Sequence, residues 1–268
     1  MSESGFAPSG GAQIYYQTEG DGPAVLFVHA AVADSRMWQS QMGLAGHRGI
    51  VFDQRGFGNT EWVPEPYANR DDALAILDHL NVDRAVVVGC SNGGEAAMQL
   101  ALVAPSRVSA LVLVGTAPRG WEPDGGWGDE PFWDEIVAAF KAGNLEEVVE
   151  YEARLWLAGA TRSLDDIDPE VVALFKEMDM IPQTTEAERE EYVQTLEPPT
   201  DQQLDRISVP TLVMVGEHDT TEMRQAAAYL AERLSDRPPV VMEDTAHLPS
   251  MERPNEFNIV ISGFLAAL

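Results

Sequence analysis

Short runs of aliphatic residues, each followed by a helical pattern, constrain the fold of this chain most strongly. The segments "RAVVVGC" (84–90), "VSALVLVGT" (108–116) and "VPTLVMVG" (209–216) are apolar almost throughout. A strand that exposes one face alternates polar and apolar residues, so these runs indicate strands covered on both faces. A small-residue helical pattern, "GEAAMQLALVAP", follows the first run and ends before Pro105. The sequence therefore predicts an α/β fold in which helices flank a mostly parallel sheet.

Two further regions determine the predicted domain organisation. Near the N-terminus, the patterns "AQIYYQTEG" and "AVLFVHA" predict two strands joined by a Gly-Pro turn, an antiparallel start to the sheet. Between residues 119 and 205, acidic helical patterns such as "EEVVEYEARLWLAG" take the place of strands. We therefore predict one core, built from residues 1–118 and 206–268, with a helical insertion at 119–205 that is not an independent domain.

Charge and composition narrow the possible partners. The formal net charge of −27 repels phosphates and anionic lipids, so we expect neither nucleic acid nor a membrane as partner. No apolar run reaches the roughly 18 residues of a spanning helix, and the N-terminal segment lacks the features of a secretion signal. One cysteine cannot form an intramolecular disulfide, which suits a reducing, cytoplasmic location. We expect a monomer or homodimer that acts on a small molecule.

The sequence contains no pattern that favours a metal or a cofactor. No His/Glu cluster has the spacing of zinc ligands, and no glycine loop fits a phosphate cradle. The glycines of "DQRGFGNT" are too few and wrongly spaced for a dinucleotide site. We therefore predict chemistry that needs neither.

The segment "VVVGCSNGGEAAMQLAL" (86–102) carries the clearest chemical signal. It places the pattern G-x-S-x-G between a strand and a helix, which is the context of a nucleophile exposed at a sharp turn. The positions two before and two after the apex must be small, because the chain folds back on itself there. Gly89 and Gly93 occupy those positions around Ser91, whereas valine and asparagine occupy them around Cys90. The turn therefore nominates Ser91 as nucleophile and predicts that Cys90 is a buried, poorly reactive thiol.

A serine hydroxyl is a weak nucleophile and needs a base, for which three histidines are candidates. His29 ends the second predicted strand, His218 lies in "GEHD", and His247 lies in "EDTAHLPSMERPNEF" before the last helix. Catalytic groups of a parallel sheet gather in loops at the carboxyl ends of strands, and all three satisfy that test. Topology alone therefore leaves the three open.

The same test narrows the choice of the acid that orients the base. Asp219 comes just after the strand "TLVMV", and Glu217 is its close rival. Asp244 is near a candidate histidine in sequence, but it is equally compatible with a solvated loop.

An oxyanion hole requires two backbone N–H donors at the developing negative charge. We expect one from Asn92, which follows the nucleophile at a helix N-terminus where the helix dipole also favours negative charge. We expect the other from Ala31, in the loop after "LFVHA".

The ordered motifs resemble those of the α/β-hydrolase fold superfamily. The segments "VHAA", "DQRGFGNT", "GCSNGG", "PTLVMVGEHD" and "AHLPSMERPNEF" follow its chain order and span nearly the whole chain outside 119–205. The resemblance implies that Ser91 is the nucleophile, Asp219 the acid and His247 the base. It also implies an eight-stranded sheet in which only the second strand is antiparallel, and it makes residues 119–205 a helical cap.

The resemblance also suggests where the substrate lies. Ala30 stands where the family usually has glycine after the histidine of the early loop, and we expect His29 and Ala30 beside the substrate. Aromatic residues of the cap are candidates to line an apolar acyl pocket, with packing against the core as the competing role for each. The tryptophans in question are Trp121, Trp127, Trp133 and Trp156.

Together these features predict a serine hydrolase that cleaves a small-to-medium apolar carboxylic ester or lactone through an acyl-enzyme. A serine at the apex argues against an epoxide hydrolase or haloalkane dehalogenase, since those members of the superfamily use aspartate there. Two alternatives stay open. The same triad would serve to cleave a carbon–carbon bond in a dienoic diketone, and the same fold would serve as a non-catalytic ligand receptor.

Overall fold

The computed structural model describes residues 2–127, 131–185, 188–189 and 191–268. Its sheet has eight strands in the order β1-β2-β4-β3-β5-β6-β7-β8. The strands are β1 (Ser2–Ser9), β2 (Ala12–Gly20), β3 (Ala24–Val28), β4 (Arg48–Phe52), β5 (Ala85–Cys90), β6 (Val108–Val114), β7 (Thr211–Gly216) and β8 (Val240–Met242). Strand β2 runs in the direction opposite to the other seven of these strands, so the predicted eight-stranded, mostly parallel sheet is confirmed.

The N-terminal part of the sheet differs from the prediction in two respects. Strand β1, which the sequence did not predict, pairs antiparallel with β2; its serine, glutamate, glycine and proline give it little intrinsic β-propensity. Strands β2 and β3 run in opposite directions, as the predicted antiparallel start requires, but they are not neighbours, because β2 pairs with β4 while β3 lies between β4 and β5. The wholly buried β3 suits the interior of the sheet, whereas the alternating burial of β2 suits a place near its edge.

Helices cover both faces of the sheet. The described helices are α1 (Asn69–His79), α2 (Asn92–Val103), α3 (Trp133–Ala142), α4 (Leu145–Glu152), α5 (Pro169–Gln183), α6 (Thr221–Leu234), α7 (Pro249–Glu252) and α8 (Pro254–Leu265). In β5, Val87 joins the apolar cluster that includes α1, α2 and α6, whereas Val88 joins the cluster that includes α8. This alternation explains why the central strands are apolar throughout.

The segment between β6 and β7 is helical in the part that the structure describes. It contains α3, α4 and α5 and a π-helical turn (Ala153–Ala158), but no named strand among the described residues. Its Val193 forms an isolated bridge with Tyr67, which precedes α1. Part of it has a small apolar cluster of its own around Ile136 and Val148. The division into a core and a cap at residues 119–205 stays a prediction. No described helix combines the length and apolar character needed to cross a bilayer.

Candidate active site

Ser91 occupies a strained turn between β5 and α2. Its backbone angles are φ 52° and ψ −122°, a conformation that residues with a side chain rarely adopt. A Cβ atom at Gly89 would lie 2.3 Å from the carbonyl oxygen of Gly93, and one at Gly93 would lie 2.3 Å from the carbonyl oxygen of Val28. The two glycines therefore permit the close approach that gives Ser91, and not its neighbour, the apex of the turn.

Cys90 points into the core behind the turn. Its side chain has no exposed surface, and Sγ lies 3.5 Å from the carbonyl oxygen of His247. Burial raises the pKa of the Cys90 thiol well above its usual value, and the nearby charge of Asp219 raises it further. The thiolate that would act as a nucleophile is thereby disfavoured.

Asp219 and His247 form a buried carboxylate–imidazole pair. Asp219 lies just beyond β7, and His247 lies in the loop between β8 and α7. His247 Nδ1 is 3.0 Å from Asp219 Oδ2 and 3.1 Å from Oδ1, while Oδ1 also accepts the N–H of Thr220 at 2.8 Å. Because the carboxylate accepts the proton on Nδ1, Nε2 of a neutral imidazole is left as the proton acceptor.

The other candidates for base and acid, which are His218, Glu217 and Asp244, have different contacts. His218 Nδ1 lies 2.6 Å from Thr161 Oγ1. Glu217 Oε2 accepts the N–H of Asp244 at 3.0 Å, and the Asp244 carboxylate pairs with Arg253. The contacts of Glu217 and Asp244 hold the loops after β7 and β8 together, whereas that of His218 joins the loop after β7 to the segment between β6 and β7.

The backbone that holds Ser91 is in contact with the carboxylate–imidazole pair. The Ser91 N–H donates to the carbonyl of the last residue of β6 at 2.9 Å, and Thr116 Oγ1 donates to the Ser91 carbonyl at 2.7 Å. Gly115 lies between these two contacts, at φ 47°. A Cβ there would lie 3.0 Å from Asp219 Oδ2 and 3.1 Å from His247 Nδ1. The carboxyl ends of β5, β6 and β7 thus converge on one place.

His29 organises the early loop. Its Nε2 accepts the N–H of Gln54 at 2.9 Å, so Nδ1 carries the proton and donates to the Ala30 carbonyl at 2.8 Å. Burial lowers the pKa of His29 below its usual value, which keeps this imidazole neutral. Since His29 and Ala30 have no exposed surface, their burial argues against the prediction that these side chains line the substrate pocket.

Two cavities adjoin the turn. The first, which we call the polar cavity, has a volume of about 490 Å³, and its lining includes Ala31, Asn92, Tyr67, Asn69, Arg119 and Arg189. The second, which we call the tryptophan cavity, has a volume of about 370 Å³, and its lining includes Ser91, Asn92, Arg119, Trp121, Trp127 and Met223. Both residues predicted to supply oxyanion donors therefore line one cavity, and Asn92 is common to the two.

The four predicted tryptophans have different environments. Trp121 and Trp127 meet edge to face, with ring centroids 5.9 Å apart, beside Ser91. Trp156 packs on His247 with ring centroids 4.6 Å apart, and its carbonyl accepts the His247 N–H at 3.0 Å. Trp133 begins α3 and is 43% exposed. The structure thus brings three of the four close to the candidate catalytic residues.

The two arginines of the polar cavity, Arg119 and Arg189, were not predicted from the sequence to be site residues. Arg119 opens the segment after β6, so its position at the carboxyl end of a strand was an available signal. Arg189 lies in an acidic helical stretch that predicts solvent exposure, yet the structure buries it. Nothing in the local pattern distinguishes this arginine from a surface residue.

The architecture and this arrangement define a class of protein, and comparison with known families agrees. The profile of a family described as alpha/beta hydrolase fold matches residues 23–254, so the chain belongs to that family. It is 24% identical over 258 residues to 3-oxoadipate enol-lactonase 1 of Acinetobacter baylyi, covering 92% of this chain and 90% of the relative. It is 27% identical over 279 residues to the pimeloyl-[acyl-carrier protein] methyl ester esterase of Pectobacterium carotovorum, covering 96% of this chain and 100% of the relative.

A solved structure gives the same result in three dimensions. The structure described as Est816, an N-acyl homoserine lactone degrading enzyme, is 28% identical to this chain and has a TM-score of 0.78. The match covers 97% of this chain and 100% of that chain.

Proposed function

We propose that this protein is a serine hydrolase of carboxylic esters or lactones. The observation that carries the proposal is the strained Ser91 at the end of β5, whose backbone contacts adjoin the Asp219–His247 pair. The relatives support the same reaction class, since they are named for lactone and ester cleavage. An ester and a lactone present the same carbonyl chemistry to a nucleophile, so a single site serves either.

In this proposal Ser91 Oγ attacks the substrate carbonyl while Nε2 of His247 takes the hydroxyl proton. Asp219 holds the imidazole through Nδ1 and stabilises the imidazolium that forms. The alcohol leaves with the proton from His247, and an acyl group remains on Ser91. Water then attacks that ester as His247 takes its proton, and His247 returns the proton to Ser91 Oγ as the bond to the acyl group breaks and the free acid departs.

The negative charge on the tetrahedral intermediate falls to the backbone N–H groups of Asn92 and Ala31. Asn92 is the first residue of α2, where the N–H groups have no partner within the helix and the helix dipole favours an anion. Ala31 lines the polar cavity together with Asn92 and lies in the loop that His29 holds. Loss of one such donor typically lowers kcat by about 10²–10³.

The tryptophan cavity is the proposed place for the apolar part of the substrate. Trp121, Trp127 and Met223 give it an apolar wall directly beside Ser91. A hydrophobic pocket of this kind discriminates modestly between acyl chains, by about 10- to 200-fold per methylene. We therefore expect activity on several short esters rather than on one.

The test is hydrolysis of p-nitrophenyl acetate, p-nitrophenyl butyrate, a short-chain lactone and a dienoic diketone by the parent protein and by two variants. Ser91→Ala should lose at least about 10³-fold in kcat, because no nucleophile is left to form the acyl-enzyme. Cys90→Ala is the matched control, since it removes the adjacent nucleophilic atom and should keep the parent's rate. Equal rates for the parent and Ser91→Ala would refute the proposal. Turnover of a dienoic diketone alone would favour carbon–carbon cleavage, and turnover of nothing would favour a receptor.

A further inference from the structure

The polar cavity has a positively charged wall in a strongly acidic protein. Ala31 and Asn92 line it beside Ser91, and Arg119 and Arg189 line it as well. The chain as a whole carries a formal net charge of −27, so its average field repels anions. A cationic cavity next to the nucleophile is therefore a local exception that requires an explanation.

Arg189 is held in place by uncharged groups. Its side chain lies over the ring of Phe57, with Cζ 4.5 Å from the centroid. Nε donates to Thr185 Oγ1 at 3.1 Å, and Nη1 lies 3.4 Å from the carbonyl oxygen of Arg55. These contacts orient the guanidinium, and each of these partner groups is uncharged.

Among the described residues, the two buried arginines are Arg55 and Arg189, and their surroundings differ. Arg55 is 3% exposed and pairs with Asp72 at 2.9 Å and Glu65 at 2.8 Å. Arg189 is 8% exposed, yet no described carboxylate lies within 4 Å of it. A buried charge is costly unless it is paired, so the position of Arg189 suits a charge that is neutralised when an anion enters the cavity.

Arg119 adds a second cation at the junction of the two cavities. Its backbone is fixed on both sides, because its N–H donates to Glu95 Oε2 at 3.2 Å and its carbonyl accepts the Asp201 N–H at 3.0 Å. Its side chain is exposed and forms no ion pair with a described carboxylate. An exposed guanidinium of this kind attracts an anion to the site and completes its coordination.

We propose that Arg189, assisted by Arg119, binds a carboxylate of the substrate, so that the ester or lactone cleaved at Ser91 carries a free carboxylate in the polar cavity. The inference rests on the proposed function, because it places the carboxylate relative to a carbonyl at Ser91. Planar guanidinium groups form strong, oriented hydrogen bonds with carboxylates. Tyr67 and Asn69 supply further polar contacts on the same wall.

The test compares two esters that differ by one charge, p-nitrophenyl hydrogen glutarate and p-nitrophenyl methyl glutarate. We expect the parent to prefer the charged ester by at least about tenfold in kcat/KM, the size of a charge-assisted hydrogen bond. Arg189→Met should lower that preference by about 10- to 100-fold, and Arg119→Gln should lower it less. Since Arg119 is exposed, its variant keeps the test valid if Arg189→Met fails to fold.

Arg237→Met is the matched control, because it removes the same charge from an exposed site whose ion pair within the described part of the chain is with Asp236. It should leave the preference unchanged. Hydrolysis of both esters without preference, or equal effects of Arg189→Met and Arg237→Met, would overturn the inference and leave the proposed function intact.

A binding measurement separates the two proposals if the parent hydrolyses neither ester. Calorimetry on Ser91→Ala with monomethyl glutarate and dimethyl glutarate does not depend on catalysis. We expect tighter binding of the monomethyl form, lost when Arg189→Met is added. Equal affinity for the two compounds, or affinity insensitive to Arg189, overturns the inference on its own terms.

Discussion

Ser91 adopts an unfavourable backbone conformation at the apex of the turn between β5 and α2. Residues with a Cβ that are held at φ 52° and ψ −122° typically cost about 1–3 kcal/mol. The surrounding contacts impose this conformation, because Ser91 is fixed by hydrogen bonds at both its N–H and its carbonyl. The glycines on either side admit the close backbone approach, while the strained residue itself keeps the hydroxyl. A stable turn would place glycine here, so a serine indicates a functional requirement.

This strain predicts that two substitutions at Ser91 have different effects on the free energy of unfolding. Ser91→Gly should raise the free energy of unfolding by about 1 kcal/mol, because glycine adopts this conformation without penalty. Ser91→Ala keeps the Cβ and should leave the free energy of unfolding within about 0.5 kcal/mol of the parent. Urea denaturation of the three proteins measures the difference. A Ser91→Gly protein that is less stable than Ser91→Ala would contradict the argument.

Arg162 ties the loop that carries His247 to the segment between β6 and β7 through ion pairs with Glu252 and Asp244. Glu252 in α7 accepts the N–H of Ala246 at 2.8 Å and pairs with Arg162 at 2.6 Å. Arg162 in turn donates to the carbonyls of Leu157 and Ala158, on the π-helical turn that contains Trp156. We call these contacts of Glu252 and Arg162 the latch. The latch couples the position of the loop that carries His247 to the position of Trp156, which packs on His247.

The latch has a pH dependence of known sign. Burial raises the pKa of Glu252 to about 7, with Arg162 opposing the shift. A carboxyl whose pKa is higher when folded stabilises the protein below its unfolded pKa, and this contribution is lost as the pH rises through the folded pKa. The parent's free energy of unfolding, minus that of Glu252→Gln, should therefore fall by about 2 kcal/mol between pH 5.5 and 8.5.

The matched control for this measurement is Glu256→Gln, which removes a carboxylate from an exposed position in the next helix. Its difference from the parent should stay constant over the same pH range. A difference for Glu252→Gln that is flat, or that rises with pH, would show that Glu252 is ionised throughout.

At the scale of elements, the sequence predicted what local patterns encode. Fully apolar runs identified β5, β6 and β7, and their continuous burial is the reason that they are apolar. Strand β1 escaped prediction because pairing with β2, and not its own composition, makes it a strand. The strands adjacent to β2 were not predicted for a related reason. A Gly-Pro turn fixes a change of chain direction, but it does not fix which strands become adjacent.

At the scale of the whole molecule, the candidate site is assembled from residues that are distant in sequence. Ser91, Asp219 and His247 come from the ends of different strands, and chain order with the family resemblance sufficed to nominate them. The arginines of the polar cavity could not be nominated in this way, because the burial of Arg189 depends on Phe57 and on the carbonyl of Arg55, which come from a distant part of the chain. Residues at strand ends are predictable from topology, whereas pocket walls depend on packing.

The central claim is that folding makes Ser91 a nucleophile, and a fluorophosphonate probe tests it most directly. After brief exposure of the folded protein, peptide mapping by mass spectrometry should find one adduct, on Ser91. The adduct should be absent from Ser91→Ala, present in Cys90→Ala, and lost when the parent is unfolded in urea before exposure, because the base is then no longer in place. A folded protein without an adduct on Ser91, or one labelled equally well when unfolded, would contradict the account.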